Sequence, residues 1–303
     1  MKPVKALVSL TTHDNDYQRA QAASAEAVAK QLNVSLELVY ANGDAVNQVQ
    51  QILSAIQRRD HGIDIVITEP AGTGMVHVAE AATKIGIAWS VLNFEADYLA
   101  RLRQTASVPV FEVSVDQIEA GRIQAQQVAA LLPGGGTVLY IMGPTAGTTA
   151  ARRSEGMLSE KPANIQLKNM TGSWTDESGY RVVSSWLKLS TSRTSGIVGI
   201  VSQNDAMAVG ARRAFGEVSD STERGKWLQM PFFGVDGLPE TGQRYVQRKV
   251  LTATVVTPPV AGIALELFMK AHNEGKPAPA RHLVGSQSYP AIGELRPQTA
   301  AQG

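Results

Sequence analysis

Amides, carboxylates, arginines and aromatic rings recur in short polar stretches, each following a run of β-forming apolar residues. The stretches are Thr11-Thr12-His13-Asp14-Asn15-Asp16-Tyr17, Asn93-Phe94-Glu95, Gly143 to Arg153, Thr171-Gly172-Ser173-Trp174, Ser202-Gln203-Asn204-Asp205, Asp236-Gly237 and Thr257. That mixture suits recognition of a polyol: hydroxyls take amide and charge-assisted hydrogen bonds, and an apolar ring face stacks on an aromatic. Bond-making chemistry has less support. There is no Gly-x-Ser-x-Gly elbow and no His-Glu-x-x-His helix. The five histidines, at 13, 61, 77, 272 and 282, show no metal-ligand spacing. Asp205 with Asp236 is the one acidic pair at strand ends, and without a third catalytic group it reads as a hydroxyl acceptor or hinge anchor. The expectation is ligand binding with no catalysis, no cofactor and no metal.

Each candidate also has a plainer reading. Asn204 and Asp205 are both favoured helix caps, Asp236-Gly237 makes an ordinary turn, and Trp174 could be a surface aromatic. Arg152 and Arg153 fall in a helix's first turn, where the macrodipole disfavours cations, which is easier to explain if one has an anionic or hydroxyl partner. Gly72-Thr73-Gly74-Met75-Val76-His77 lacks the third glycine of a dinucleotide fingerprint and reads as a helix-start turn. Gly134-Gly135-Gly136 lacks the Lys-Ser/Thr of a phosphate loop and reads as a helix terminator with left-handed glycine.

Stepping outward from these turns, short β-rich runs alternate with longer segments of helical period, the pattern of parallel sheets with crossover helices. Strands are expected at Ala6–Leu10, Leu36–Tyr40, Ile63–Thr68 and Ile87–Leu92. The helices between them carry Tyr17, Ala20, Ser24, Val28 and Leu32, then Val46, Val49, Leu53 and Ile56, then Met75, Val78, Ala82 and Ile85. A second series has strands Thr137–Met142, Ile165–Met170, Ile197–Val201, Pro231–Asp236 and Leu251–Val256. Its helices are Asp116–Leu132, one from Thr149, one bearing Val182, Val183, Trp186 and Leu187, Asp205–Phe215 and Pro259–His272. Two series of four or five strands each predict two similar doubly wound α/β domains. The division is 1–113 plus 258–285 against 114–257 plus 286–303, with a polar, frayed tail from Pro297. In such sheets ligands bind beyond the carboxyl ends of the strands, where the polar stretches lie.

Composition narrows the partners. The 303 residues hold 28 Lys+Arg against 27 Asp+Glu, a net charge of +1. That balance argues against a nucleic-acid or anionic-membrane binder, which needs a concentrated basic surface. The absence of cysteine excludes thiolate nucleophiles, iron–sulfur clusters and disulfides, and says nothing of compartment. No stretch approaches the roughly 18 apolar residues of a membrane span. The apolar run after Lys5 is too short for a signal peptide, so the chain reads as cytosolic or as a mature portion whose leader was removed.

Three segments carry a family resemblance over nearly the whole chain: Ala146-Gly147-Thr148-Thr149-Ala150-Ala151-Arg152-Arg153-Ser154-Glu155-Gly156, Val201 to Ala211, and Phe233-Gly234-Val235-Asp236-Gly237. The sequence resembles the type I periplasmic solute-binding proteins, in particular ribose-binding-like sugar receptors, with the effector domains of lactose-repressor-type regulators as cousins. Nothing resembles the regulators' helix-turn-helix headpiece. The resemblance implies a periplasmic monomer that closes by hinge rotation on a sugar or polyol in the interdomain cleft and hands it to an ABC permease. The alternative is a headless regulator or sensory module signalling to a partner such as a sensor kinase. It implies ligand contacts from Thr11, Asn15, Tyr17, Trp174, Asn204 and Asp236, from Thr257 at a crossing, and from Arg152 or Arg153 according to which flank anchors the match. Where such receptors carry Asp-Arg after the fourth strand this sequence has Asn93-Phe94, and Gln18 and Thr257 replace an aromatic and a glutamine, so ribose itself is not expected. On this reading Asp236→Ala abolishes ligand stabilisation and leaves the ligand-free melting point nearly unchanged.

Overall fold

Along the first strand, Ala6, Val8 and Leu10 pack in one apolar cluster and Leu7 in another. Successive side chains of a strand point to opposite faces, so a sheet covered by helices on both sides needs apolar residues at every position. The computed structural model describes residues 3–58, 62–145, 147–192 and 196–297. His61, Ala146 and the tail beyond Pro297 lie outside the described residues.

The chain divides into two units, Met1–Val115 with Ala146–Thr148 and Pro259–Val284, and Asp116–Thr145 with Thr149–Pro258 and Gly285–Gly303. In the first, β1 (Lys5–Leu10), β2 (Ser35–Tyr40), β3 (Ile65–Thr68), β4 (Ala88–Leu92) and β5 (Val110–Val115) alternate with α1 (Asp16–Leu32), α2 (Ala45–Gln57), α3 (Val76–Lys84) and α4 (Tyr98–Thr105). The second is built from α5 (Gln117–Leu131), β6 (Gly136–Met142), α6 (Thr148–Glu160), β7 (Ile165–Thr171), α7 (Asp176–Leu187) and β8 (Ile197–Ser202). It continues through α8 (Asp205–Gly216), α9 (Ser221–Gln229), β9 (Phe232–Asp236), the short α10 (Arg244–Gln247) and β10 (Ala253–Val256). The chain returns to the first unit with α11 (Ala261–Glu274) and β11 (Arg281–Val284), then adds β12 (Gln287–Tyr289) to the second.

Among the described residues each unit holds a six-stranded sheet, in the orders β11-β5-β4-β3-β1-β2 and β12-β10-β9-β8-β6-β7. Every pairing is parallel except β10 with β12. In the first unit α1 and α11 cover one face, through Ala22, Ala25, Leu265 and Phe268. Helices α2, α3 and α4 cover the other through Ile52, Val78 and Leu102. In the second, α7, α8 and α9 bring Trp186, Phe215 and Trp227 to one face, and α5 and α6 bring Val128 and Met157 to the other. The doubly wound expectation therefore holds. In both sheets the strand order reverses direction beside the first strand of the unit, and the carboxyl ends at that switch point are where ligands bind in open α/β sheets.

Three expectations are corrected. The strand count is six per sheet, because β11 and β12 come from a segment to which the sequence pattern gave no element and β5 lies where it showed only a crossing. Strands β11 and β12 are short and half exposed, so their period is weak, and the buried run of β5 is interrupted by Glu112 and Ser114. Helix α9 was likewise missed, with only Trp227 buried. The apolar stripe of α2 is rotated: Val46 is 66% exposed, and Gln48, Ile52, Ala55 and Ile56 face inward. Ile85, given to the α3 stripe, is exposed beyond that helix's last turn.

Candidate functional site

In the first unit the turn after β1 is tied by side chains to the helix that follows. The Asn15 Oδ1 accepts from the backbone N–H groups of Tyr17 and Gln18 at 2.8 and 3.2 Å, capping α1. Gln18 in turn accepts from the Thr11 N–H at 3.1 Å, so this position holds the turn itself. Tyr17 is buried, and its hydroxyl lies 3.4 Å from the Asn93 Nδ2. Asn93 follows β4 in a left-handed conformation (φ 48°), which Asn tolerates better than most residues, and its Oδ1 accepts from the Val115 N–H at 3.1 Å. The structure thus brings Tyr17 and Asn93 together. Phe94 turns aside and packs half-buried on the apolar cluster around Trp89.

A residue that sequence reasoning missed completes this face. Glu69 follows β3, and its Oε2 accepts from the Gln21 Nε2 at 2.9 Å, with Asn93 Nδ2 at 3.5 Å. Gln21 is fully buried, and its Oε1 accepts from the N–H groups of Val260 and Ala261, at the start of α11, at 2.7 and 2.8 Å. Gln48, also fully buried, donates to the Glu69 carbonyl at 3.0 Å and accepts from the Ala71 N–H at 2.8 Å. The signal was available: an acidic residue directly after a buried apolar strand, at the same end of the sheet as the other candidates.

In the second unit the candidates converge on one guanidinium. Arg153 is 5% exposed; its Nε donates to the Gln117 Oε1 at 2.8 Å and its Nη1 to the Gln203 carbonyl. The same Nη1 lies 3.7 Å from the Asp236 Oδ1, and the guanidinium stands 5.7 Å from the Trp174 ring centroid. Arg152, the other arginine allowed by the sequence, pairs with Glu155 at 2.7 Å, with about two-fifths of its side chain exposed. Two glycines explain the placement of α6. A Cβ on Gly156 would stand 2.0 Å from the Ile118 carbonyl oxygen, and one on Gly121 would stand 2.1 Å from the Arg153 carbonyl oxygen. Helices α5 and α6 therefore meet backbone to backbone, which sets Arg153 against Gln117.

Trp174 occupies a left-handed conformation (φ 66°), and its ring lies so close on Gly143 that a Cβ there would come within 1.9 Å of it. Asn204 serves two ends. Its Oδ1 caps α8 by accepting from the Met207 N–H at 2.9 Å, and its Nδ2 donates to the Trp174 carbonyl at 2.9 Å. Asp205 does not cap that helix; Thr254 and Gly237 both donate to its carboxylate. Thr257 is fully buried, its N–H donates to the Asp236 carbonyl at 3.0 Å, and its Oγ1 has no hydrogen-bond partner. A buried hydroxyl without a partner is uncommon and marks a position suited to a further polar group. Gln203 supports the whole set from below, donating to the Tyr140 hydroxyl at 2.8 Å and accepting from the Gly143 N–H at 2.9 Å. Burial pushes the Tyr140 phenol above its usual range.

The second unit's face thus offers one guanidinium, one carboxylate, one carboxamide and one indole, and the first unit's face a carboxylate, a carboxamide and a phenol. These groups can accept and donate at hydroxyls. Among the described residues no group of three or more His, Asp or Glu side chains gathers as a metal site, and no helix is long and apolar enough to cross a membrane.

The family model described as "Periplasmic binding protein domain" matches residues 6–276. A D-apiose import binding protein of Actinobacillus succinogenes is 25% identical over 214 residues, covering 69% of this chain and 64% of that protein. A xylitol-binding protein of Mycolicibacterium smegmatis is 28% identical over 222 residues, covering 71% of this chain and 57% of that protein. These alignments take in less than two thirds of either relative's length. The crystal structure of an ABC transporter periplasmic solute binding protein from Actinobacillus succinogenes, with bound D-allose, superposes with a TM-score of 0.80 at 22% identity. It covers 95% of this chain and 97% of that one, and so shares the fold across both units.

Proposed function

Because the chain belongs to the periplasmic binding protein domain family, whose members are binding proteins and not enzymes, we propose that it is a receptor for a sugar or polyol. Ligand groups stand at the carboxyl ends of the sheet strands, and the receptor works in the periplasm, delivering its ligand to an ABC permease. The observation that carries this reading is the buried Arg153–Asp236 pair beside the Trp174 ring. A guanidinium and a carboxylate side by side supply donors and an acceptor to neighbouring hydroxyls, while the indole offers an apolar face to the ring carbons. The relatives named for D-apiose and xylitol, and the fold relative holding D-allose, support a small neutral polyhydroxylated ligand. In the first unit Asn93, Glu69 and Tyr17 present polar groups suited to hydroxyls, and in the second Thr257 has an unpartnered hydroxyl.

The test is a thermal-shift screen with D-apiose, xylitol, D-allose and myo-inositol, followed by calorimetric titration of any hit. A ligand at 100 times its dissociation constant stabilises the protein by about 2.7 kcal/mol, enough to read as a clear rise in Tm. Absence of any shift at millimolar concentration across sugars and polyols overturns the proposal.

A further inference from the structure

We propose that Asp205 is the positioning residue for Asp236, acting through the backbone of the turn between them. The proposal rests on the reading of Asp236 as a ligand acceptor.

Asp236 ends β9 with φ at 109°, in the region where any residue other than glycine is strained, and Gly237 follows at φ 56°. The peptide that joins them is held from both sides. Its carbonyl accepts from the Thr257 N–H at 3.0 Å, and its N–H donates to the Asp205 Oδ2 at 2.8 Å. The other carboxylate oxygen, Oδ1, accepts from the Thr254 hydroxyl at 2.7 Å. With its plane fixed, the peptide leaves the Asp236 side chain little choice of direction, and the carboxylate arrives 3.7 Å from Arg153.

Gly237 and Thr254 are both donors to Asp205. A carboxylate accepts at both oxygens, so it takes the Gly237 N–H and the Thr254 hydroxyl proton at once; a carboxamide keeps the Gly237 N–H only by turning the Thr254 hydroxyl into an acceptor, and an alanine accepts from neither. The surroundings are shaped around the anion. A Cβ on Gly234 would stand 2.0 Å from Oδ1 and one on Gly242 would stand 2.1 Å from Oδ2. Glycine at 234 lets the carboxylate lie against β9, and glycine at 242 lets the turn after Asp236 fold back over it. Helix capping does not account for Asp205, because the neighbouring Asn204 performs it. Direct ligand contact does not account for it either, since both oxygens are engaged and the residue is 4% exposed.

The variant is Asp205→Ala in the full chain, which removes both acceptors, with two readouts. By amide hydrogen exchange, the Gly237 N–H should exchange about a hundredfold faster, while amides of the β6–β7 pairing keep their protection. In a double-mutant cycle probed with xylitol and D-allose, Asp205→Ala should raise Kd about tenfold alone and less than about twofold in an Asp236→Asn background. Unchanged Gly237 exchange, or equal losses of affinity in both backgrounds, overturns the proposal. If Asp205→Ala does not fold, Thr254→Val frees one carboxylate oxygen and should speed Gly237 exchange about tenfold; no acceleration counts against the proposal. If the unaltered protein binds neither probe, the receptor reading for those ligands fails, and the exchange result still decides whether Asp205 holds the turn.

Discussion

The Arg153 guanidinium stands 3.7 Å from the Asp236 carboxylate, and the two side chains are only 6% and 12% exposed. Removing one partner of a pair this deeply buried leaves a charge without compensation. Arg153→Ala should therefore destabilise the ligand-free protein by about 3 kcal/mol and abolish ligand stabilisation. Arg152→Ala, which breaks an exposed pair with Glu155, should change stability by less than about 1 kcal/mol and leave binding intact. Scanning calorimetry with and without ligand separates the two. Asp236→Ala should also lower the ligand-free melting point, a revision of the sequence-based expectation, because Arg153 loses its carboxylate. A silent Asp236→Ala would show that the pair does not contribute.

The contact between α5 and α6 has no room for a methyl group at Gly156, where the Ile118 carbonyl oxygen would stand 2.0 Å away. Gly156→Ala should cost about 2 kcal/mol in urea unfolding, with an unchanged m-value. It should also weaken ligand binding by displacing Arg153 from Gln117. Full wild-type stability in this variant would mean that the helices separate without penalty.

Trp174 sits in the candidate site, whereas Trp89, Trp186 and Trp227 are buried in apolar clusters. Ligand addition should change the emission of the unaltered protein, and Trp174→Phe should remove that change. A ligand-linked signal that survives in Trp174→Phe would point to a rearrangement of one of the cores.

Tyr98 is half-buried, its hydroxyl accepts from the Trp89 Nε1 at 3.2 Å, and desolvation pushes its phenol up to about 12 from 10.0. A phenol whose folded pKa is raised stabilises the fold fully below its unfolded value, and that contribution disappears as pH rises from 10.0 to about 12. Absorbance at high pH should show Tyr98 ionising late, as Tyr140 also should, and Tyr98→Phe should flatten the alkaline loss of stability over that window. An unaltered alkaline profile in Tyr98→Phe would remove this group from the linkage.

Most elements were legible in the chain because their signals are local. Strand β1 reads from its apolar run, the start of α1 from Asn15, and the stop after α5 from Gly135, which does adopt a positive φ of 72°. Elements that depend on a partner strand were not. Residues Arg281–Val284 alternate between exposed and half-buried and become a strand by pairing with β5, a contact about 170 positions away. The rotated stripe of α2 has a similar cause: Gln48 faces inward because polar groups at the ends of β1 and β3 need its amide, and hydropathy does not register that need.

The sequence by itself determined the βα rhythm, the doubly wound fold and the polar strand ends where a ligand would be met. Those depend on periodicity, on caps and on residue type, which act over a few positions. Tertiary structure decided which candidates work together: Arg153 faces Asp236 and Arg152 does not, Glu69 joins Asn93, and Asp205 holds a turn instead of capping a helix. Each choice depends on groups far apart in the chain meeting within hydrogen-bond or ion-pair distance. Buried glutamines set much of that register: Gln21, Gln48, Gln117 and Gln203 each hold a site loop or side chain. A neutral amide donates and accepts without the cost of burying a charge, and its partners become visible only once the chain has folded.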